Sequence, residues 1–449
     1  MSEKTPHRLA AWPGIPGLNR RQAMGAMLAA TTYAMTGRGW AAPGQRLPGP
    51  TERGFVGVGA ATREYRTKLM HDLMDREQLD ALAFTSGAYI KFAINFNVDV
   101  EFFERPVVCI IPRNGAPFVI LNELSTNNWR FMLESGRAWA KDAHFYAEHP
   151  QVRGRLPSVT QWEELVAARL ERAGLARARI GTDTGGLARV APLLPHLRLE
   201  NVERQCQRMR WVKHEEEIAV MQAAASLADW AQDQYREQIR PGRLVSELDM
   251  SVAALKVEEA ARRFPGADLQ IYCWSVSGAT SASPHGYGFG NLAGARIEKG
   301  DVLVVSVYPS IDGLFVENER TWFCGKPTQR QIKLFEAARM AQEAACEAAV
   351  TGKPISSIDE AALAVFEREG VADLVHHRTG HGLGLGGHDY PVDMAFNIEP
   401  LLDRMCFSIE PGLYQYDLGG FRHDDTVVVG SKPRLLTRTA KDLRSQTVA

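Results

Sequence analysis

Four histidines, His376, His377, His381 and His388, crowd into one glycine-rich stretch late in this chain. Imidazole titrates near neutrality and offers a ring nitrogen to divalent ions, so it suits proton transfer and metal binding alike. Glycine permits the close backbone approach such a cluster needs. A fifth, His285, stands among serines and glycines, its approach fixed by Pro284. Carboxylates flank the cluster in sequence. Glu317 and Glu319 precede it, Glu410 heads Glu410-Pro411-Gly412, and Asp424 follows Arg422 by two residues. Imidazoles and carboxylates delivered by separate strands to one cavity make a hydrolytic site. The plainer alternative for each histidine is a ring satisfied by backbone, on a loop or in the core.

Segment 301–425 must position these groups. Its first part alternates apolar residues and turns at Asp312-Gly313, which predicts two paired strands. Another strand ends at Glu410, and a further one carries Arg422, His423, Asp424 and Asp425. Upstream, helical spacing predicts one long amphipathic helix over 209–235, with Trp211, Ile218, Met221 and Ala225 on one face. Lys213 and Glu215 to Glu217 read as its solvated side. Pro241-Gly242 breaks the pattern. More helices are expected over 246–259, with Ser246 as cap, and over 331–350 and 357–370; a strand over 271–275 opens the sheet. Before residue 200 the chain reads as a helix over 64–77, apolar strands at 79–84, 106–112 and 117–121, and a helix-then-strand piece over 167–189. The expected fold class is α+β: a catalytic domain over 201–449 behind a smaller α/β domain over 43–200.

At 449 residues, 45% of them apolar, the chain can bury two cores. A net charge of −1 and the lack of a basic stripe argue against a nucleic-acid partner. The six cysteines, at 109, 206, 273, 324, 346 and 406, form no C-x-x-C pair, and four lie in apolar runs where buried free thiols are common. Arg20-Arg21, an Ala/Met-rich run over 23–35 and small residues at Ala41-Ala42 predict a twin-arginine export signal over 1–42. The mature protein is then expected in the periplasm with no membrane attachment, the apolar run being short for a span.

Taken jointly, the glycines around His381, the second histidine at His388, Glu410-Pro411-Gly412 and the strand bearing Arg422 and its acids resemble the pita-bread family of creatinase, prolidase, aminopeptidase P and methionine aminopeptidase, metallopeptidase family M24. The resemblance covers nearly all of the chain after the signal. It implies a pita-bread catalytic domain built of two similar halves, behind a creatinase-like N-terminal domain. It also implies five ligands, in the order Asp, Asp, His, Glu, Glu, for two divalent ions. Here Ser306 stands at the first place and Glu317 at the second, followed by His381, Glu410 and Asp424. A hydroxyl is a poor ligand beside carboxylates. The expectation is one ion (zinc, manganese or iron) on Glu317, His381, Glu410 and Asp424, or no metal. Creatinase supplies the metal-free version: Glu319-Arg320-Thr321 matches its triplet, whose glutamate touches substrate. Phe103 and Arg105 match a pair that creatinase sends across a dimer interface to its substrate. Val392 and Asp424 depart from creatinase. By resemblance His285 and His388 are the proton-shuttling and carbonyl-side histidines, with His377 and Arg422 in the substrate pocket.

The chemistry so implied is hydrolysis of a C–N bond, in an amide, Xaa-Pro-type peptide or amidine, within a small carboxylate-bearing substrate, by a homodimer. A lyase acting on a small carboxylate and a non-catalytic periplasmic binding protein are the alternatives. The loss at Ser306 argues against the first, the complete histidine set against the second. Tyr287, Phe289, Tyr390, Phe396 and Tyr414 to Tyr416 are candidates for pocket wall or core.

Overall fold

The computed structural model describes residues 57–100, 102–149, 156–285 and 292–448. The apolar runs of the first part become a six-stranded mixed sheet: β1 (Ala81–Phe84), β2 (Val108–Pro112), β3 (Phe118–Asn122), β4 (Asp142–Tyr146), β5 (Arg179–Thr182) and β6 (Arg198–Asn201), in the order β4-β3-β2-β1-β5-β6. Strands covered on both faces read as continuous apolar runs. Leu82 and Phe84 pack on helices Ala60–Glu77 and Gly87–Ile94, while Ala81 and Ala83 meet Trp162, Val166 and Leu170 of helix Ser158–Arg172.

The single helix expected over 209–235 is instead two, Glu203–Met209 and Glu215–Gln238, with an extended link between them. The link is held by pairing with the second sheet: Val212 bridges Met405, and Lys213 N donates to Arg404 O at 3.0 Å. His214 then restarts the helix through a capping box with Glu217. Lys213 and Glu217, expected in solvent, are buried. Lys213 Nζ donates to the carbonyl of Arg210, and Glu217 accepts from Arg66 at 2.6 Å. Helical spacing cannot report such pairing, because the partners lie elsewhere in the chain. Ser246 is likewise not the cap expected; helix Val245–Arg263 starts at Leu244 without a side-chain capping bond.

The remaining strands are β7 (Leu269–Gln270), β8 (Cys273–Ser277), β9 (Val302–Val307), β10 (Ser310–Ile311), β11 (Leu314–Phe315), β12 (Asn318–Cys324), β13 (Gly380–Gly382), β14 (Cys406–Ile409), β15 (Gly412–Gln415), β16 (Gly419–Arg422), β17 (Asp424–Val428), β18 (Arg434–Leu435) and β19 (Thr447–Val448). The main sheet runs β13-β14-β17-β12-β9-β8, with β18 and β19 attached. The β10–β11 hairpin turns at Asp312-Gly313 as expected, both residues with positive φ, 50° and 79°. The strand order holds a repeat the sequence hides. Two helices, Glu215–Gln238 and Val245–Arg263, precede β8, β9 and β12. Two more, Gln329–Ala348 and Ser357–Arg368, precede β13, β14 and β17. The halves meet at the antiparallel β12–β17 pair. Leu303, Val305 and Trp322 face the first helix pair, and Phe407, Ile409 and Val427 the second. The alternate residues of the same strands face the other way, and they make the site.

Candidate active site

Register builds the site as two neighbouring rows across the sheet. Trp274 pairs with Ser306, Ser306 with Glu319 and Glu319 with Asp424. His381 pairs with Ser408 and Ser408 with Thr426. Thr426 Oγ1 then exchanges hydrogen bonds with the Glu317 backbone, at 2.9 Å each way. Residues two apart on a strand share a face, so both rows point to the same side. Glu410 joins them two residues beyond Ser408, its backbone N held by Thr379 O at 2.7 Å.

His381 Nδ1 lies 3.1 Å from Gly382 O. A carbonyl only accepts, so Nδ1 carries the hydrogen. Nε2 is left facing Glu317 Oε2 at 3.6 Å and Glu410 Oε1 at 3.5 Å, buried and without a hydrogen-bond partner among the described residues. Ligand atoms of Glu317, His381 and Glu410 lie within 4.8 Å of one another, and those of Glu319, Glu410 and Asp424 form a second such set. Asp424, expected beside His381, thus falls in the other set. Its oxygens take Ser408 Oγ at 2.8 Å and Ile409 N at 3.1 Å.

Arg422, expected to bind substrate, lines the cavity and is buried there, with the protein engaging its guanidinium. Its Nη2 donates to Glu319 Oε1 at 2.6 Å and its Nε meets Glu319 Oε2. Nη1 lies 3.2 Å from Tyr414 OH and 3.6 Å from Glu410 Oε2. Ser306 Oγ donates to Glu319. His377 Nε2 lies 2.7 Å from Tyr414 OH, so His377 reaches the site through that phenol.

Burial, then the charges of Glu410 and Glu319, pushes Glu317 well above the usual carboxylate range. Burial, then Glu317, does the same to Asp424. Burial raises Glu319 too, against the pull of Arg422. For Glu410 burial is outweighed by the contact with His381 and the charge of Arg422, which hold it below the usual range. His388 is pushed down to about 4 by burial and by His381, whose ring stacks on it at 3.7 Å between centroids. Burial also lowers His377.

Glu317, Glu319, His381, Glu410 and Arg422 open into a cavity of about 560 Å³, which His285 and His388 also line. One wall is aromatic, made of Tyr272, Trp274, Tyr308 and Phe315. Tyr272 stacks on Tyr308 at 4.8 Å, and Trp274 Nε1 donates to Tyr308 OH at 3.0 Å. Sequence reasoning missed Tyr272, Trp274 and Phe315. The usable signal was alternation: Trp274 takes the cavity side of β8 while Cys273 and Ser275 take the helix side. Of the aromatics expected, Tyr414 is buried against Arg422, Tyr390 packs against Arg210, and Phe396 and Tyr416 stand in solvent. Tyr287 and Phe289 lie outside the described residues, as does the export signal at 1–42. Phe103 is exposed, and Arg105 pairs with Glu148 at 2.7 and 2.8 Å; neither lines the cavity of this chain. All six cysteines are buried and free. No described helix is long and apolar enough to cross a membrane.

Residues 219–431 match the profile of metallopeptidase family M24. The chain is 32% identical over 236 residues to an Xaa-Pro dipeptidase of Pyrococcus furiosus, covering 52% of this chain and 65% of that protein, less than two thirds of its length. It is 29% identical over 357 residues to the probable dipeptidase PepE of Mycobacterium tuberculosis, covering 78% of this chain and 88% of that protein. The solved prolidase of Thermococcus sibiricus superposes with a TM-score of 0.72 at 22% identity, over 87% of this chain and 100% of that one. The pita-bread fold and its preceding domain are shared with that solved structure, and residues 219–431 form a domain similar to those of metallopeptidase family M24.

Proposed function

We propose that this protein is a peptidase that hydrolyses the C–N bond of Xaa-Pro dipeptides with one exchangeable divalent ion. One observation carries the reading: the buried, unpartnered Nε2 of His381, held between Glu317 and Glu410 at the cavity. Nδ1 is turned to Gly382 O, so Nε2 is the ring nitrogen that faces the carboxylates; in the free protein Glu410 draws a proton to it against burial, and an ion would take that proton's place. Glu317, His381 and Glu410 fit one ion of the zinc, manganese or iron type, with Asp424 beside Glu317. Such an ion supplies Lewis acidity and an acidified water when bound.

The chain's own groups do the rest. Glu410, kept ionised by His381 and Arg422, accepts a proton at its carboxylate. His388, neutral at pH 7, donates an N–H to a developing negative oxygen. His285, exposed at the cavity mouth, delivers a proton to the leaving nitrogen. The Tyr272–Trp274–Tyr308 wall packs against an apolar ring of the substrate. The names of the Pyrococcus and Thermococcus relatives support a prolyl substrate. Arg20-Arg21 and the run behind it support export to the periplasm, and the match of Phe103 and Arg105 to the pair that creatinase sends across its dimer interface supports a homodimer. The test is hydrolysis of an Xaa-Pro dipeptide panel by purified protein, before and after chelation and with Zn²⁺, Mn²⁺ or Fe²⁺ restored. Activity should vanish with the ion and return with it. A protein inert toward the whole panel under every ion overturns the reading.

A further inference from the structure

The oxygens of Glu319, Glu410 and Asp424 lie close enough together to hold a second ion. Two features of this chain oppose it. Ser306 brings a hydroxyl where the family resemblance implies a carboxylate, and that hydroxyl is donated to Glu319. The set also already contains a cation. Arg422, 2% exposed at its side chain, meets both oxygens of Glu319 and stands 3.6 Å from Glu410 Oε2. A guanidinium stays protonated, and its planar fork matches a carboxylate edge to edge. A divalent ion on the same oxygens would face that charge at close range, away from water. In the first set, among the described residues, no arginine or lysine pairs with Glu317, and Glu410 turns its other oxygen, Oε1, to His381.

We infer that Arg422 is the built-in second cation of this site: a guanidinium anchored by Glu319 replaces an ion on Glu319, Glu410 and Asp424, leaving one exchangeable ion beside His381. The inference rests on the peptidase reading for its meaning, but not for its test. The anchor continues outward. His377 Nδ1 lies 2.7 Å from the Arg378 carbonyl, which only accepts, so Nδ1 donates there. Its Nε2 must then accept from Tyr414 O–H at 2.7 Å. The Tyr414 oxygen is thereby turned to accept from Arg422 Nη1 at 3.2 Å. Tyr414 is the one hydrogen-bond partner of Nη1 among the described residues, and Arg422 lines the cavity. Nη1 therefore keeps a donor for an oxygen of the substrate.

The deciding measurement is ion content at saturation, by elemental analysis and calorimetric titration with Mn²⁺ or Zn²⁺. The wild-type protein should take one ion per chain. Two ions per chain overturn the inference while leaving the peptidase reading intact; one ion with no hydrolysis of any Xaa-Pro dipeptide does the reverse. Arg422→Ala removes the guanidinium and should raise the count to two. Its turnover at low metal should fall about a hundredfold, and millimolar guanidinium should restore part of it. Arg422→Lys keeps a charge and should stay at one ion. An Arg422→Ala protein that binds one ion and gains nothing from guanidinium also overturns the inference. The wild-type count needs no variant, so it decides even if Arg422→Ala does not fold.

Discussion

Asp424 and Asp425 are neighbours on β17, both fully buried, and they behave in opposite ways. Asp425 points toward the helices. Arg320 Nη2 and Lys441 Nζ each reach it at 2.7 Å, with Thr437 Oγ1 at 2.7 Å and Gln342 Nε2 at 3.0 Å. Burial resists its charge, but Arg320 and Lys441 prevail and hold it at about 2. Asp424 lies on the cavity side of the sheet, paired with Glu319, and burial with Glu317 drives it well above its usual range. Depth is equal on the two faces; the supply of cations is not. On the helix side one acid has two cations. On the cavity side Glu317, Glu319, Glu410 and Asp424 share Arg422. Surplus buried acid is costly unless something neutralises it, and sites that keep such groups do so for binding or catalysis.

The contrast can be broken from either side. On the cavity face His381→Ala should cut kcat/KM by about 10³-fold or more, roughly 4 kcal/mol, and abolish ion uptake. Its unfolding midpoint should stay near that of the wild type; steady-state kinetics and calorimetry check both, and undiminished turnover would sink the site. On the helix face Arg320→Met strips Asp425 of one of its two cations and should cost about 3–5 kcal/mol of stability by denaturant titration. Its ion count should stay unchanged. A loss under about 1 kcal/mol would mean that the helix-side pairing is not what separates the two aspartates.

Asp249 sharpens the point, because among the described residues it has donors and no paired cation. It accepts from Tyr235 OH and Ser275 Oγ at 2.7 Å each and from Ser275 N at 3.0 Å. Burial still prevails and lifts it from 3.8 to about 6. An acid whose folded value is raised binds more protons folded than unfolded across that interval. Stability should therefore fall as pH climbs from about 4 to about 6, by up to roughly 3 kcal/mol. For Asp425 the sign is opposite: its contribution is full above the unfolded value near 3.8 and is lost as pH falls through about 2. Asp249→Asn should flatten the first interval and leave the second, as read from urea unfolding at closely spaced pH.

The sequence shows part of this directly. The Asp312-Gly313 turn and Glu410-Pro411-Gly412 are local patterns that fold as their spacing predicts, and of the four clustered histidines His381 and His388 line the cavity. The α+β class follows from the alternation of apolar runs and helical stretches. What fails to show is anything set by register. Glu319 meets Arg422, and Ser306 meets Glu319, because strands far apart in sequence align in one way. Nor does alternation tell which of Asp424 and Asp425 faces the cavity, since β17 is buried on both sides and reads as a plain run. Lys213 and Glu217 mislead for the same reason: they look like a solvated helix face until Arg66 and a turn of backbone are brought against them.

A proton count ties the cavity face to its ion. Ser408 Oγ lies 3.0 Å from Glu317 Oε2 and 2.8 Å from Asp424 Oδ2. A hydroxyl has one hydrogen to give. It can serve one of these carboxylates, so the other must be protonated and donate back to the serine oxygen. Glu317 and Asp424 therefore hold at least one proton between them when no ion is bound, in keeping with the upward shift of both. Ligand carboxylates bind ions deprotonated, so ion uptake near neutrality should release about one proton. Calorimetric titrations in buffers of different ionisation enthalpy read that number directly. Affinity should rise about tenfold per pH unit while the proton is still shared, and Ser408→Ala should change it by about 1 kcal/mol. Uptake with no proton released would mean that both acids are already ionised in the free protein. Asp424 would then be as fully charged as Asp425, and cation supply would no longer explain why one face of β17 is structural and the other reactive.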